Sequence, residues 1–92
     1  MLLMYDYPLF QEKPLIPTRD AQHEMDELRL DLWRVKEILE QGYDCSGSKR
    51  SKNIIEKCLF RKNKEMRVVA ALVEFNQGEF WRIIHVGKTG GH

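Results

Sequence analysis

His85 is the side chain of this sequence best suited to move a proton near neutral pH, and Arg82 and Lys88, three residues to either side, could hold charge on a phosphate oxygen. An imidazole exchanges a proton in the physiological range, and a neighbouring guanidinium or ammonium stabilises an oxyanion. The chemistry these three residues suit is cleavage of RNA without a metal. The ribose 2′-hydroxyl attacks the adjacent phosphorus in line, His85 shuttles the proton, and Arg82 or Lys88 stabilises the developing charge. No acidic partner for the imidazole is visible in the neighbouring sequence, and a half-buried structural histidine is the plain alternative. The other histidines suit other tasks: His23 falls in an acidic helical stretch, where it caps or packs, and His92 belongs to a glycine-rich tail.

A substrate phosphate would be held by a cationic segment. Lys49, Arg50, Lys52, Lys57, Arg61, Lys62, Lys64 and Arg67 face only Glu56 and Glu65, whereas the formal net charge of the whole chain is +1. Ten acids against five bases in residues 1–48 compensate, so charge is split along the chain. A polyanion is the partner that such a split favours. Lys49, Arg50, Lys52, Lys57, Arg61, Lys62 and Arg67 are the candidate nucleic-acid contacts. With side chains alternating along a strand, Lys57, Leu59 and Arg61 share a face with Ile55, opposite Glu56, Cys58, Phe60 and Lys62. Arg67 and Arg82 on neighbouring strands extend the band across a sheet. The competing reading is a solvated edge, where cations prevent edge-to-edge pairing of strands.

Other chemistries find less support. Gly87-Lys88-Thr89 echoes the end of a phosphate-binding loop, but Arg82 stands where that motif needs its first glycine. Cys45 and Cys58 form no disulfide scaffold by count, and reduced thiols packed as small hydrophobes are expected. No paired Cys or His spacing suggests zinc, so neither a metal nor a cofactor is expected. The apolar start, Met1 to Tyr5, is short, lacks a basic lead and meets Asp6 at once. It fails as a leader and as a membrane span, leaving the cytoplasm as the expected location.

The elements that must position these residues can be read from periodicity. One domain is expected over residues 1–92. Residues 1–17 contain Pro8, Pro14 and Pro17, which exclude a long helix or a central strand and leave an irregular segment or an edge strand. Residues 18–42 read as helical. Thr18 opens a short helix with Met25 and Leu28 on one face. Asp31 caps a second, whose stripe of Leu32, Val35, Ile38 and Leu39 ends at Gly42. Residues 43–51 read as loop. Residues 54–86 read as an antiparallel meander of runs Ile54 to Arg61, Met66 to Phe75 and Phe80 to Val86, with the middle run central. Residues 87–92 read as a flexible tail.

The order of a helix bearing Gln22-His23-Glu24-Met25, a helix closing on Ile38-Leu39-Glu40-Gln41-Gly42, and a basic meander ending in Arg82-Ile83-Ile84-His85-Val86 resembles small domains grouped near the RelE/BrnT toxin superfamily. The resemblance implies two helices on one face of an antiparallel sheet, metal-independent RNA cleavage by basic and histidine side chains, and an antitoxin that masks the site. It carries over to Arg61, Arg67, Arg82 and His85 as strand positions of suitable chemistry.

The expected fold is therefore α+β, with two N-terminal helices packed on an antiparallel three- to four-stranded sheet. Two functional readings stand. One is an RNA-binding protein, extending to a toxin-type endoribonuclease, with RNA and an antitoxin as partners. The alternative is a non-catalytic protein-interaction module or homodimer, anchored by Trp33, Phe80 and Trp81. They part on whether the cations converge in space.

Overall fold

A computed structural model describes residues 7–45 and 52–89. It is α+β, and its sheet is larger than expected. Strands β1 (Leu9–Phe10) and β2 (Lys13–Pro17) precede helices α1 (Arg19–Leu28) and α2 (Leu32–Gln41). Strands β3 (Tyr43–Asp44), β4 (Ile54–Arg61), β5 (Lys64–Phe75) and β6 (Gly78–Thr89) follow. All six strands form one mixed sheet in the order β1-β2-β6-β5-β4-β3, curled into half a barrel. The expected arrangement of two N-terminal helices on an antiparallel three- to four-stranded sheet is thus corrected: the helices follow two strands, and β2 pairs parallel to β6.

The prolines explain how β2 escaped notice. The Leu15 amide bonds Pro8 on the β1 side and the Thr18 amide bonds Ile83 on the β6 side. By alternation, Pro14 lacks its donor on the β6 side, before the β2–β6 ladder begins at Leu15 and Trp81. Pro17 lacks its donor on the β1 side, beyond Pro14, where pairing to β1 ends. Neither proline breaks a ladder bond, so an interior strand tolerates both.

The helices form where their local signals lie. Thr18 Oγ1 accepts the Ala21 amide at 3.1 Å and Asp31 Oδ1 accepts the Arg34 amide at 2.9 Å, satisfying donors that a helix start leaves open. Arg29 takes the left-handed conformation at φ 59° and closes α1. Gly42 closes α2, where a Cβ would lie 2.4 Å from the Ile38 carbonyl oxygen and 2.6 Å from that of Cys58. Only a glycine lets α2 end so near β4.

Met25 of α1, and Val35, Ile38 and Leu39 of α2, bury their side chains against Val68, Ala70, Ile83 and Val86 of the sheet. Trp81 is also buried there, its ring centroid 5.7 Å from that of Phe10. The meander has the expected order, but two-residue turns join its strands. Lys62-Asn63 and Asn76-Gln77 all have positive φ, the hairpin geometry that follows sheet twist. These tight turns lengthen the strands, so β6 runs to Thr89 and Lys88 sits in a ladder opposite Met66. The flexible tail expected from residue 87 therefore does not begin there; residues 90–92 lie outside the described residues.

Cys45 and Cys58 are joined in a disulfide, which corrects the expectation of reduced thiols. The β3–β4 ladder pairs Tyr43 with Cys58 and Asp44 with Lys57, so Cys45 follows alongside β4, its Cα 5.3 Å from that of Cys58. Their spacing in sequence carries no sign of that register. Among the described residues, no helix is long and apolar enough to cross a membrane.

Candidate nucleic-acid interface

The β4–β5 hairpin, the α1–α2 junction and the end of β6 enclose a groove of about 580 Å³. Six cations line it: Arg29 and Arg34 from the helical side, Arg61, Lys62 and Lys64 from the hairpin, and Lys88 from β6. Among the described residues that line it, only Glu27 and Asp31 are acidic. Arg61 donates to Glu37 Oε1 at 2.7 Å, and Arg34 lies 3.9 Å from the same oxygen. Arg29, Lys62, Lys64 and Lys88 have no ion-pair partner among the described residues. Four uncompensated charges on one concavity repel one another, and an anion entering the groove relieves that repulsion.

The expected contacts divide between this groove and other places. Arg61 and Lys62 line it. Lys52 is exposed outside it, Lys57 is held by Asp44 Oδ1 at 2.7 Å, and Arg67 lies 3.3 Å from the buried Glu56 carboxylate. Lys49 and Arg50 lie outside the described residues. Alternation puts Arg61 opposite Glu56, Phe60 and Lys62; the structure keeps it through Phe60, but β4 ends at Arg61 and Lys62, in the turn at φ 51°, lines the groove together with Arg61. The helices cover the Arg61 face, and pairing of Cys58 with Arg67 puts Arg67 on the other side of the sheet, so the expected band from Arg61 through Arg67 to Arg82 does not form.

The hairpin end that carries the cations is braced on the other face. Glu65 accepts hydrogen bonds from the hydroxyls of Tyr43 and Thr89, linking β3, β5 and β6. The Thr89 and Tyr43 hydroxyls, in that order, hold the Glu65 carboxyl below the ordinary carboxylate range. Bonding to the Glu65 carboxylate raises the Tyr43 phenol above its ordinary value, because only the protonated oxygen can donate.

The structure does not bring His85, Arg82 and Lys88 together at one point. Val69 pairs with His85 but Ala70 pairs with Ile83, so Ile84 is the extra residue of a β-bulge. The bulge shifts the alternation of β6 by one: Trp81 and Ile83 point into the core, then Val86 does, and His85 turns to the open face. Lys88 falls on the groove side. Arg82 lies over the Phe80 ring, 5.7 Å from its centroid.

His85 does have an acidic partner, from far away in sequence. Glu24 Oε2 lies 3.0 Å from His85 Nδ1, while Glu24 Oε1 accepts the Val86 amide at 2.8 Å. The β2 ladder ends at Pro17 and Ile83, so the edge of β6 beyond it has no strand neighbour among the described residues, and the α1 carboxylate satisfies Val86 instead. Arg67 Nη2 sits 3.5 Å from His85 Nε2, and Gly87 leaves room for the ring, since a Cβ there would approach Nε2 to 3.2 Å. Glu24→Ala removes the acceptor of a strand-edge amide and is expected to cost about 1–3 kcal/mol in chemical denaturation. An unchanged midpoint would show that water replaces the carboxylate without loss.

Arg29, Arg34 and Lys64 are the groove residues that sequence reasoning left out of the site. Lys64 was visible as part of the cationic run. The two arginines sit in an acidic half of the chain, and their proximity to the hairpin follows from tertiary packing alone. Of the aromatic residues proposed as interface anchors, Trp81 is core, Phe80 lies under Arg82, and Trp33 is 60% exposed. A separate concavity of about 380 Å³ is lined by Tyr7, Leu9, Pro14 and Ile16. No protein-family model matches the chain, and no curated protein or solved structure matches it.

Proposed function

We propose that this domain binds RNA through the groove between the α1–α2 junction and the β4–β5 hairpin, with phosphates held mainly by Arg29, Lys62, Lys64 and Lys88. The observation that supports the reading most is the gathering of these four unpaired cations from three separate parts of the chain around one concavity. Ion-paired cations such as Lys57 and Arg67 would first have to leave a carboxylate, so they contribute less to a phosphate contact. Arg61 and Arg34 share Glu37 and serve as the groove's wall.

The groove is assigned binding and no cleavage step. His85 faces away from the groove and is engaged by Glu24 and Arg67. A protein partner that masks the groove, such as the antitoxin that the resemblance implies, would need to be acidic there.

Salt dependence tests the proposal. Each cation that neutralises a phosphate of a single strand contributes about −0.7 to the slope of log affinity against log salt, so four contacts give about −3. Labelled RNA titrated at several salt concentrations, with and without reductant to control the Cys45–Cys58 bridge, measures that slope. No binding at low salt would remove the RNA reading. It would leave the apolar concavity of Tyr7, Leu9, Pro14 and Ile16 as the surface for a protein partner or a second copy of the chain.

A further inference from the structure

The groove has an apolar floor as well as cationic rims. Leu28, Leu30 and Met66 line it and are half-buried, packed against the main core through their inner sides. A site built only for phosphate would have no use for that surface, because phosphate oxygens gain nothing from contact with leucine and methionine. Glu27 is equally out of place in a phosphate cradle. It is exposed on the last turn of α1, lines the groove, and has no hydrogen-bond or ion-pair partner among the described residues. Its carboxylate would repel a phosphate but would accept a hydrogen bond from the amino group of a nucleobase.

We infer that the groove takes an unpaired RNA strand with one base laid on the Leu28–Leu30–Met66 floor beside Glu27 and the flanking phosphates on the lysine and arginine rims. The inference rests on the reading of the groove as an RNA site and specifies which form of RNA enters it. In a duplex the bases are stacked inside a wide cylinder whose outside is phosphate and sugar. Such a cylinder reaches the rims but cannot place a base in a concavity of about 580 Å³. A single strand splays a base out at little cost and gains apolar contact in addition to phosphate contacts. Among the described residues the floor has no aromatic side chain, so the base contact is with aliphatic and thioether groups and tolerates any base with an amino edge toward Glu27.

The test compares three labelled RNA oligonucleotides of equal length: a single strand, the same backbone made abasic throughout, and a duplex. The single strand is expected to bind roughly tenfold or more tightly than the abasic strand, with a similar salt slope. The duplex is expected to bind no better per strand than the abasic backbone. Met66→Ser should bring the ratio of single-strand to abasic affinity toward one without changing the salt slope, and a melting curve confirms that the variant folds. Equal affinities of single and abasic strands, or a duplex that matches the single strand, would overturn base insertion and leave RNA binding by the groove standing. Failure of all three probes to bind at low salt would overturn the RNA reading and this inference together. The unmodified protein decides among these outcomes, whatever the stability of the Met66 variant.

Discussion

Reversing Lys62, Lys64 and Lys88 to glutamate in one protein is expected to weaken RNA binding by about a hundredfold or more, and to flatten the slope of log affinity against log salt by about 2. The three side chains are exposed and unpaired, so their replacement breaks no ion pair among the described residues. Surface changes of that kind usually move stability by less than about 0.5 kcal/mol each. Lys62 and Lys64 flank the tip of one hairpin and Lys88 lies opposite Met66, so the reversal converts two of the groove's three rims from attraction to repulsion. The informative comparison is Lys52→Glu with Arg82→Glu, also exposed cations but outside the groove. Per charge reversed, that pair should lose far less affinity. Equal losses per charge would mean that binding follows net charge, and the groove would cease to be the site.

Which parts of this architecture could be read from the sequence follows from how local each determinant is. Thr18 and Asp31 cap helices because their side chains reach amides three residues away, and the stripe of Val35, Ile38 and Leu39 recurs with the helical period; both signals lie within a single turn or two. The runs of β4, β5 and β6 and their antiparallel order were legible for the same reason, since each hairpin joins neighbours in sequence. The parallel pairing of β2 with β6 was not. It joins residues more than sixty positions apart, and Pro14 and Pro17 argued against any interior strand until the side on which each lacks its donor was known. The Cys45–Cys58 bridge belongs with β2: it depends on a register, which neither cysteine reveals.

The candidate site divides in the same manner. Strand alternation sets Arg61 apart from Glu56 within β4, but the band expected to run from Arg61 through Arg67 to Arg82 is broken, because pairing of Arg67 with Cys58 puts it on the other face and the helices cover the side of Arg61. Arg29 and Arg34 were hidden by the acidic average of the segment that holds them. At His85 a single inserted residue, Ile84, decided the outcome, because without the bulge the alternation of Trp81 and Ile83 would continue and carry the imidazole into the core. The carboxylate that meets it comes from Glu24, 61 residues earlier, so the neighbouring sequence could not show it.

Leu39→Ala is expected to cost about 2–5 kcal/mol, a large part of the roughly 5–15 kcal/mol by which small domains are stable. Leu39 is 2% exposed and belongs with Val35 and Ile38 to the buried side of α2, the helix that covers β4 and β5. Truncation removes apolar contacts from both the helix and the sheet, and the close approach at Gly42 limits how far α2 can settle to fill the space. Trp33→Ala in the same helix removes a larger side chain that is mostly in water, so it should change stability much less. The midpoint of urea unfolding should therefore fall sharply for Leu39→Ala and hardly at all for Trp33→Ala, at similar denaturant slopes. The groove depends on the same packing, since α2 carries Arg34 into its lining and Glu37 to the guanidinium of Arg61. As α2 loosens in the Leu39 variant, RNA affinity should be lost at urea concentrations where the parent still binds. A cost below about 1 kcal/mol would show that the apolar stripe of α2 does not anchor the helix to the sheet.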